Sequence, residues 1–184
     1  CKSRTYQHAL ATNKWNKDDE INYSHALARR LPAEVLYDAI HRATGSQSRL
    51  PGLAPGARAA QLLDSNTPVP GGFLELFGRP ARATGMENER VNRPGPAQRM
   101  HLLNSSHIQR KIEESRVLKP VINPRRKPQK IVEDLYLTVL SRFPTPDEVR
   151  MVDAYTTTGV AKGRDVWIDL VWALINSDEF RYRH

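Results

Sequence analysis

Two carboxylates, Glu87 and Glu89, stand two residues apart in the stretch ATGMENERVNRPG. Close like charges raise the pKa of one carboxyl group and a bound cation relieves the repulsion, so the pair could serve as general acid and base or as ligands of a hard cation. Arginines crowd the same part of the chain: Arg79, Arg82, Arg90, Arg93 and Arg99. Because arginines satisfy carboxylates through charge-assisted hydrogen bonds, the sequence favours a structural Arg/Glu network. Substrate binding, or catalysis by Glu87, Glu89 and Arg90, is the sharper alternative.

The stretch RRLPAEVLYDAIHR offers a second set of side chains with chemical potential. In a helix, Glu34, Asp38 and His41 are four and three residues apart and share a face, which could present two carboxylates and an imidazole to a metal ion. Neighbouring arginines could pair with the same acids instead: Arg29, Arg30 and Arg42. We therefore predict structural pairing and no metal site, with Glu34, Asp38 and His41 as the alternative.

The chain is strongly basic, with a formal net charge of +8. Such a charge suits a polyanionic partner such as nucleic acid, an anionic membrane or a sulfated glycan. The candidate anion-binding residues are Arg29, Arg30, Arg79 and Arg82. The densest basic run, NPRRKPQK at 123–130, contains two prolines and favours a solvated linker, with phosphate contact as the alternative. Because zinc-finger spacing and RNA-stacking signatures are missing from the sequence, nucleic acid is the least supported partner, behind an anionic ligand or a glycan.

Cysteine and serine chemistry is poorly supported. Cys1 is the one cysteine, so the sequence excludes an internal disulfide and a zinc site built mostly of cysteines. We expect Cys1 to mark a cut boundary, and a lipidated cysteine is the alternative. Ser105 and Ser106 lack a Gly-x-Ser-x-Gly context and are interpreted as helix caps. No apolar run approaches the eighteen or so residues that a transmembrane helix needs.

The elements that would position these side chains are helices. A helix over 31–45 is predicted from Pro32 near its start, Gly45 at its end and an apolar face of Val35, Leu36, Ala39 and Ile40. The stretch 46–70 is rich in Pro and Gly and is predicted to be an ordered loop. A short helix ending at Gly78 follows, and then one or two helices over 96–122, broken near Ser105.

The last third of the chain predicts three helices joined by short turns, which pack as a bundle. Its second helix opens with a capping box in which Thr145 caps and Glu148 reaches back. Ser177 is the predicted cap of a final turn. We predict a mostly α fold in one domain, 1–184, with a loop-rich helical part at 1–125 and a three-helix part at 126–184.

Six runs of sequence, in order, resemble a known family: SRTYQ, NYSHALARRLPAEVLYDAIHRATG, FLELFGRPAR, ENERVNRPGPAQRMHLLNSSHIQRKI, IVEDLYLTVLSRFPTPDEV and DLVWALINSDEFRYRH. Together they resemble the C-terminal domain of unknown function 1553 of large exported planctomycete proteins, over 3–184. The resemblance implies sister domains as partners, an exported location, and often a cytochrome c-like domain elsewhere in the full protein. Any haem belongs to those other domains, because this chain has no Cys-x-x-Cys-His motif and we expect no cofactor in it.

Where many relatives have a Cys-Glu-Cys-Glu-Arg pattern, this chain reads MENER, with Met86 and Asn88 in the cysteine positions. A thiol-dependent role is therefore not carried over. The leading hypothesis is a non-catalytic accessory or interaction module. One alternative is an active site shared with a neighbouring domain, in redox or polysaccharide processing, to which Glu87, Glu89 and Arg90 contribute acid/base and anion-binding groups. A second alternative is polyanion binding through the basic surface.

Overall fold

The fold is mostly helical, as the sequence predicts. The computed structural model describes residues 2–62, 67–80, 90, 95–123 and 125–183. Its helices are α1 (Ala33–Thr44), α2 (Phe73–Leu76), α3 (Pro96–Asn104), α4 (Ser106–Glu113), α5 (Leu118–Val121), α6 (Pro128–Leu140), α7 (Pro146–Thr157), α8 (Arg164–Asn176) and α9 (Asp178–Arg181). Within the described ranges, no helix is long and apolar enough to cross a membrane.

Helix α1 lies at the centre of the loop-rich part and packs against α2 and α4. Gly45 ends it in the left-handed conformation, at φ 59°, which costs glycine little. Leu36 and Ile40 are buried as predicted, but Val35 is 41% exposed. The buried face is completed by Tyr37 instead, because the positions that contact the core repeat every three to four residues from Ala33 and leave Val35 on the outer flank.

The predicted break near Ser105 is confirmed. Helix α3 ends at Asn104, and the Ser105 hydroxyl accepts a hydrogen bond from the Ile108 amide at 3.3 Å, which caps α4. The capped helix buries Ile108 and Ile112 and packs against both α1 and α8. Helix α4 therefore links the loop-rich part to the C-terminal helices.

The three longer C-terminal helices, α6, α7 and α8, pack against one another. The predicted capping box of α7 is confirmed: the Thr145 hydroxyl accepts from the Glu148 amide at 3.3 Å, and the Glu148 carboxylate accepts from the Thr145 amide at 2.7 Å. The Ser177 cap is also confirmed, since its hydroxyl accepts from the Phe180 amide. Buried side chains from both parts of the chain form one hydrophobic cluster.

The sequence did not predict the small antiparallel pair of β1 (Arg29–Arg30) and β2 (Tyr182–Arg183). Two-residue strands are too short to show an alternating pattern. The pairing continues through the Leu31 amide, which donates to the Arg181 carbonyl at 2.8 Å. It places the entry to α1 beside the C-terminal helices.

Arg142 joins the end of α6 to α7 and α9. Its guanidinium donates to both oxygens of Glu148, at 2.7 and 2.8 Å, and to both oxygens of Glu179, at 2.6 and 2.7 Å. It also lies over the Tyr136 ring, 5.3 Å from the centroid. Paired bidentate bonds of this kind fix geometry as well as adding energy.

We expect Arg142→Ala to lower the free energy of unfolding by about 1–2 kcal/mol, because the lost bonds are charge-assisted but about a third exposed. Urea denaturation at pH 7 measures the change. Arg150→Ala is the matched control, since Arg150 pairs with Asp147 on a fully exposed face and should cost less than about 0.5 kcal/mol. Equal losses in the two variants would contradict the linking role. The hydrogen bond from Arg142 lowers the pKa of Glu148 to about 2, so the difference should persist down to pH 5.

Candidate functional site

Glu34, in the first turn of α1, is the centre of an Arg/Glu network. Arg90 donates to both of its carboxylate oxygens, at 2.8 and 3.1 Å. The Nε of Arg79 lies 3.8 Å from the same carboxylate, and the Arg79 side chain is 4% exposed. Burial raises the pKa of Glu34, but the hydrogen bond from Arg90 and the charges of Arg90 and Arg79 outweigh it, so the pKa lies below its ordinary value. Glu34 is therefore ionised and engaged by two arginines.

Arg30 is a second buried arginine used inside the fold. It donates to the Phe77 carbonyl at 2.7 Å and to the Gln98 side-chain oxygen. Gln98 in turn donates to the Leu76 carbonyl at 2.8 Å. These bonds tie β1 to the end of α2 and the start of α3.

Three of the four arginines predicted to bind an anion lie among the described residues, and they differ in exposure. Arg30 and Arg79 are buried and bonded within the protein, whereas Arg29 is exposed on β1. Arg82 lies outside the described residues. Anion binding by Arg29 stays a prediction, but the two buried arginines are positioned to hold the fold.

The acid pair Glu87 and Glu89 also lies outside the described residues. Arg90 is described, and it bonds to Glu34. Sequence reasoning therefore recognised an arginine of the network and assigned it to acids near it in sequence. Its described partner lies 56 residues away along the chain.

The alternative metal set is held apart by separate partners. The Asp38 carboxylate accepts hydrogen bonds from the amides of Ala59 and Ala60, at 2.7 and 3.4 Å. His41 donates from Nδ1 to the Tyr37 carbonyl at 2.8 Å, and its ring lies on that of Tyr37. Together with Glu34, each member has a structural role. No group of three metal-ligating side chains occurs among the residues that the structure describes.

A different opening lies between the end of α1 and α4. We call it the basic cleft; it has a volume of about 480 Å³ and is lined by Thr44, Gly45, Ser46, Gln47, Arg49, His107, Arg110, Lys111, Glu114, Ser115 and Arg116. Three arginines, one lysine and one histidine thus face a single carboxylate within the described lining. None of these lysine and arginine side chains forms an ion pair with a carboxylate of the described residues.

Lys111 is the most enclosed cation of the basic cleft. Its ammonium donates to the Ser46 hydroxyl at 3.4 Å, and that hydroxyl lies 2.9 Å from the Thr44 hydroxyl. Burial lowers the pKa of Lys111, since a half-buried ammonium is poorly solvated. The C-terminal end of a helix such as α1 carries about half a negative charge, which favours a nearby cation such as Lys111.

The charge of Lys111 contributes to the lowered pKa values of two histidines, His107 and His41. His107 shares a face of α4 with it, four residues earlier. Partial burial, followed by the charges of Lys111, His101 and Arg110, holds the pKa of His107 below its ordinary value. Burial is also the main reason that the pKa of His41 falls to about 4, with smaller contributions from Lys111 and His107. The region is electrically positive and favours neutral imidazoles.

A family model described as PSD1, protein of unknown function (DUF1553), matches residues 1–156. The chain belongs to this family. The resemblance stated from the sequence is confirmed in that respect, whereas the planctomycete and exported context stays a prediction. The search of curated proteins and the search of solved structures returned no match. The Glu34 network and the basic cleft both lie within the part of the chain that matches PSD1.

Sequence reasoning missed the basic cleft of this PSD1 chain. Its two walls are far apart in sequence: the Lys111 to Ser46 hydrogen bond spans 65 residues. The available signal was the spacing of four between His107 and Lys111, which places two basic groups on one helical face. That spacing alone does not show which element covers the face.

The C-terminal helices enclose another opening, of about 640 Å³, with a largely apolar lining. Trp172 is half-buried there because it lines this opening. The Tyr155 hydroxyl donates to Asp169 at 2.7 Å across its mouth. Its acidic residues already have described partners, because Asp169 accepts from Tyr155 and both Glu148 and Glu179 accept from Arg142.

Proposed function

We propose that this PSD1-family chain is a non-catalytic accessory module of a larger exported protein, and that it holds an anionic group of a partner in the basic cleft. One observation carries the proposal: the cleft gathers Arg49, Arg110, Lys111 and Arg116 without an ion-pairing carboxylate among the described residues. Concentrated, uncompensated positive charge in a concave site attracts anions.

The non-catalytic part of the proposal is supported by the hydrogen bonds of the described acid/base candidates. Glu34 is bound by Arg90, and Asp38 accepts backbone hydrogen bonds. A general base must be directed at its substrate, whereas the described bonds direct these two carboxylates at groups of the protein itself. The active-site alternative depends on Glu87 and Glu89, and its third residue, Arg90, donates two hydrogen bonds to Glu34.

The partner class follows from the size and chemistry of the cleft. A volume of about 480 Å³ suits one or two charged groups of a ligand or glycan. Single-stranded nucleic acid is bound with aromatic stacking platforms, and the described lining contains no Phe, Tyr or Trp. The family resemblance supports sister domains of the larger protein as the bearers of the anionic group, and we expect any haem to be held by those domains.

The test is binding of a sulfated hexasaccharide of heparin, measured by calorimetry at pH 7 and at two salt concentrations. We expect the double variant Arg110→Gln, Arg116→Gln to weaken binding at least about tenfold, because two cations at the rim are removed. Circular dichroism verifies that the variant is folded.

The matched control is Arg125→Gln, Lys127→Gln, which removes the same charge from the exposed run before α6. We expect it to change affinity less than about twofold. Equal losses in both double variants would mean that the basic charge acts unspecifically and would overturn the cleft as the site. Undetectable binding by the unmodified chain would overturn the proposal outright, and tighter binding of duplex DNA would assign the cleft to nucleic acid instead.

A further inference from the structure

The basic cleft has donors at two depths. Lys111 and the Ser46 hydroxyl lie deep, joined by their hydrogen bond, while Arg49, Arg110 and Arg116 are exposed at the rim. His107 lies on the same face of α4 as Lys111 and also lines the cleft. A ligand group that enters the cleft passes the exposed arginines at its rim before it reaches the Lys111 ammonium, and the His107 imidazole lies one turn away on the same face of α4.

Donors on both walls favour an anion with several oxygens pointing in different directions. Lys111 and His107 belong to α4, whereas Ser46 and Arg49 belong to the segment that follows α1. A carboxylate presents two oxygens in one plane, while a sulfate or phosphate group presents three or four in a tetrahedron. The second shape can accept from both walls at once.

We infer that the group held in the basic cleft is a sulfate- or phosphate-type oxyanion, which binds beside Lys111 and His107 together with one proton that His107 takes up. The inference rests on the proposed function and gives the ligand class and its pH dependence. The proton comes from the solvent and converts the His107 imidazole into a second charged donor toward the anion.

The electrostatics explain why binding and protonation are coupled. The groups that face His107 are Lys111, Arg110, Glu114 and Arg116 around α4, His101 on α3, and His41, Ser46 and Arg49 on the α1 side. Partial burial is the main reason that the pKa of His107 lies below its ordinary value, and the charges of Lys111, His101 and Arg110 lower it further. An anion beside the ring reverses that effect and raises the pKa. By linkage, protonation must then tighten anion binding to the same extent.

The experiment is calorimetric titration of the chain with sodium sulfate in two buffers of different ionisation enthalpy at pH 6.5. Sulfate stays dianionic in this range, so any proton uptake belongs to the protein. We expect roughly half a proton to be taken up per sulfate bound. Affinity should be about tenfold tighter at pH 5.5 than at pH 8, which corresponds to a rise of about one unit in the pKa of His107.

His107→Gln should abolish the proton uptake and flatten the pH profile while sulfate still binds through Lys111. His8→Gln is the matched control, since His8 is exposed in the N-terminal segment, and it should leave both quantities unchanged. Sulfate binding without proton uptake, or succinate binding as tightly as sulfate, would overturn this inference and leave the proposed function standing. If neither sulfate nor the hexasaccharide binds at any pH, the proposed function fails with it.

Discussion

Glu34→Gln is expected to lower the free energy of unfolding by about 3 kcal/mol at pH 7. The substitution keeps the shape of the side chain but removes the charge that faces Arg90 and Arg79. The Arg79 side chain is 4% exposed and the Glu34 side chain is 13% exposed. Water therefore does not replace the electrostatic stabilisation that the Glu34 carboxylate gives to the arginines. Removing one partner of a buried ion pair is costly because the other charge stays desolvated. Urea denaturation of the two proteins gives the difference directly.

The pH dependence of the Glu34 effect gives a further check. The pKa of Glu34 is lowered in the folded protein relative to its ordinary value of 4.5. Its contribution is therefore complete above about pH 4.5 and is lost as the pH falls through the folded pKa. The stability gap between the protein and the Glu34→Gln variant should narrow in strong acid.

The control for Glu34 is Glu75→Gln, a change of the same kind at an exposed position on α2. It should alter the free energy of unfolding by less than about 0.5 kcal/mol. A Glu34→Gln variant that is as stable as Glu75→Gln would mean that the arginines around Glu34 are neutralised by other groups. It would reopen the question of whether Glu34 is available for chemistry.

Helices with local signals were predictable from sequence. The capping box of α7 needs only Thr145 and Glu148, three residues apart, and both bonds form as expected. The end of α1 at Gly45 and the cap at Ser105 are likewise set by single residues. The rotation of α1 was not predictable in detail, since the choice between Val35 and Tyr37 as a buried residue depends on where α2 and α4 pack.

The candidate functional surface was much harder to predict because its parts come from distant segments. Sequence reasoning grouped Arg90 with Glu87 and Glu89, which lie outside the described residues, and it did not find the bond that tertiary packing forms between Arg90 and Glu34. The same packing brings Ser46 to Lys111 and so creates the basic cleft. Charge composition indicated an anionic partner, but composition carries no information on which cations are buried, paired or gathered in one place.

The second large effect concerns His41, which should make the protein sensitive to mild acid. Between pH 7 and pH 4.5, the free energy of unfolding of the unmodified protein should fall by about 2 kcal/mol more than that of the His41→Gln variant. Mainly because it is buried, the pKa of His41 falls from 6.5 to about 4 in the folded protein. In this pH interval the His41 imidazole is therefore protonated in the unfolded chain but neutral in the folded chain. Stability falls as the pH drops below 6.5 and levels off below about 4.

The comparison uses the change in the free energy of unfolding between the two pH values, because this change separates the titration of His41 from its packing. The variant also loses the hydrogen bond to the Tyr37 carbonyl and the ring contact with Tyr37, which lowers its stability at every pH. Carboxylates such as Glu148 titrate equally in both proteins and cancel. His8→Gln, at an exposed position, should follow the unmodified protein throughout.

Parallel pH profiles for the protein and His41→Gln would show that His41 takes up a proton inside the fold. The positive environment that we assign to the basic cleft beside it would then be wrong, because Lys111 and His107 would have to be compensated by carboxylates close enough to stabilise a buried imidazolium.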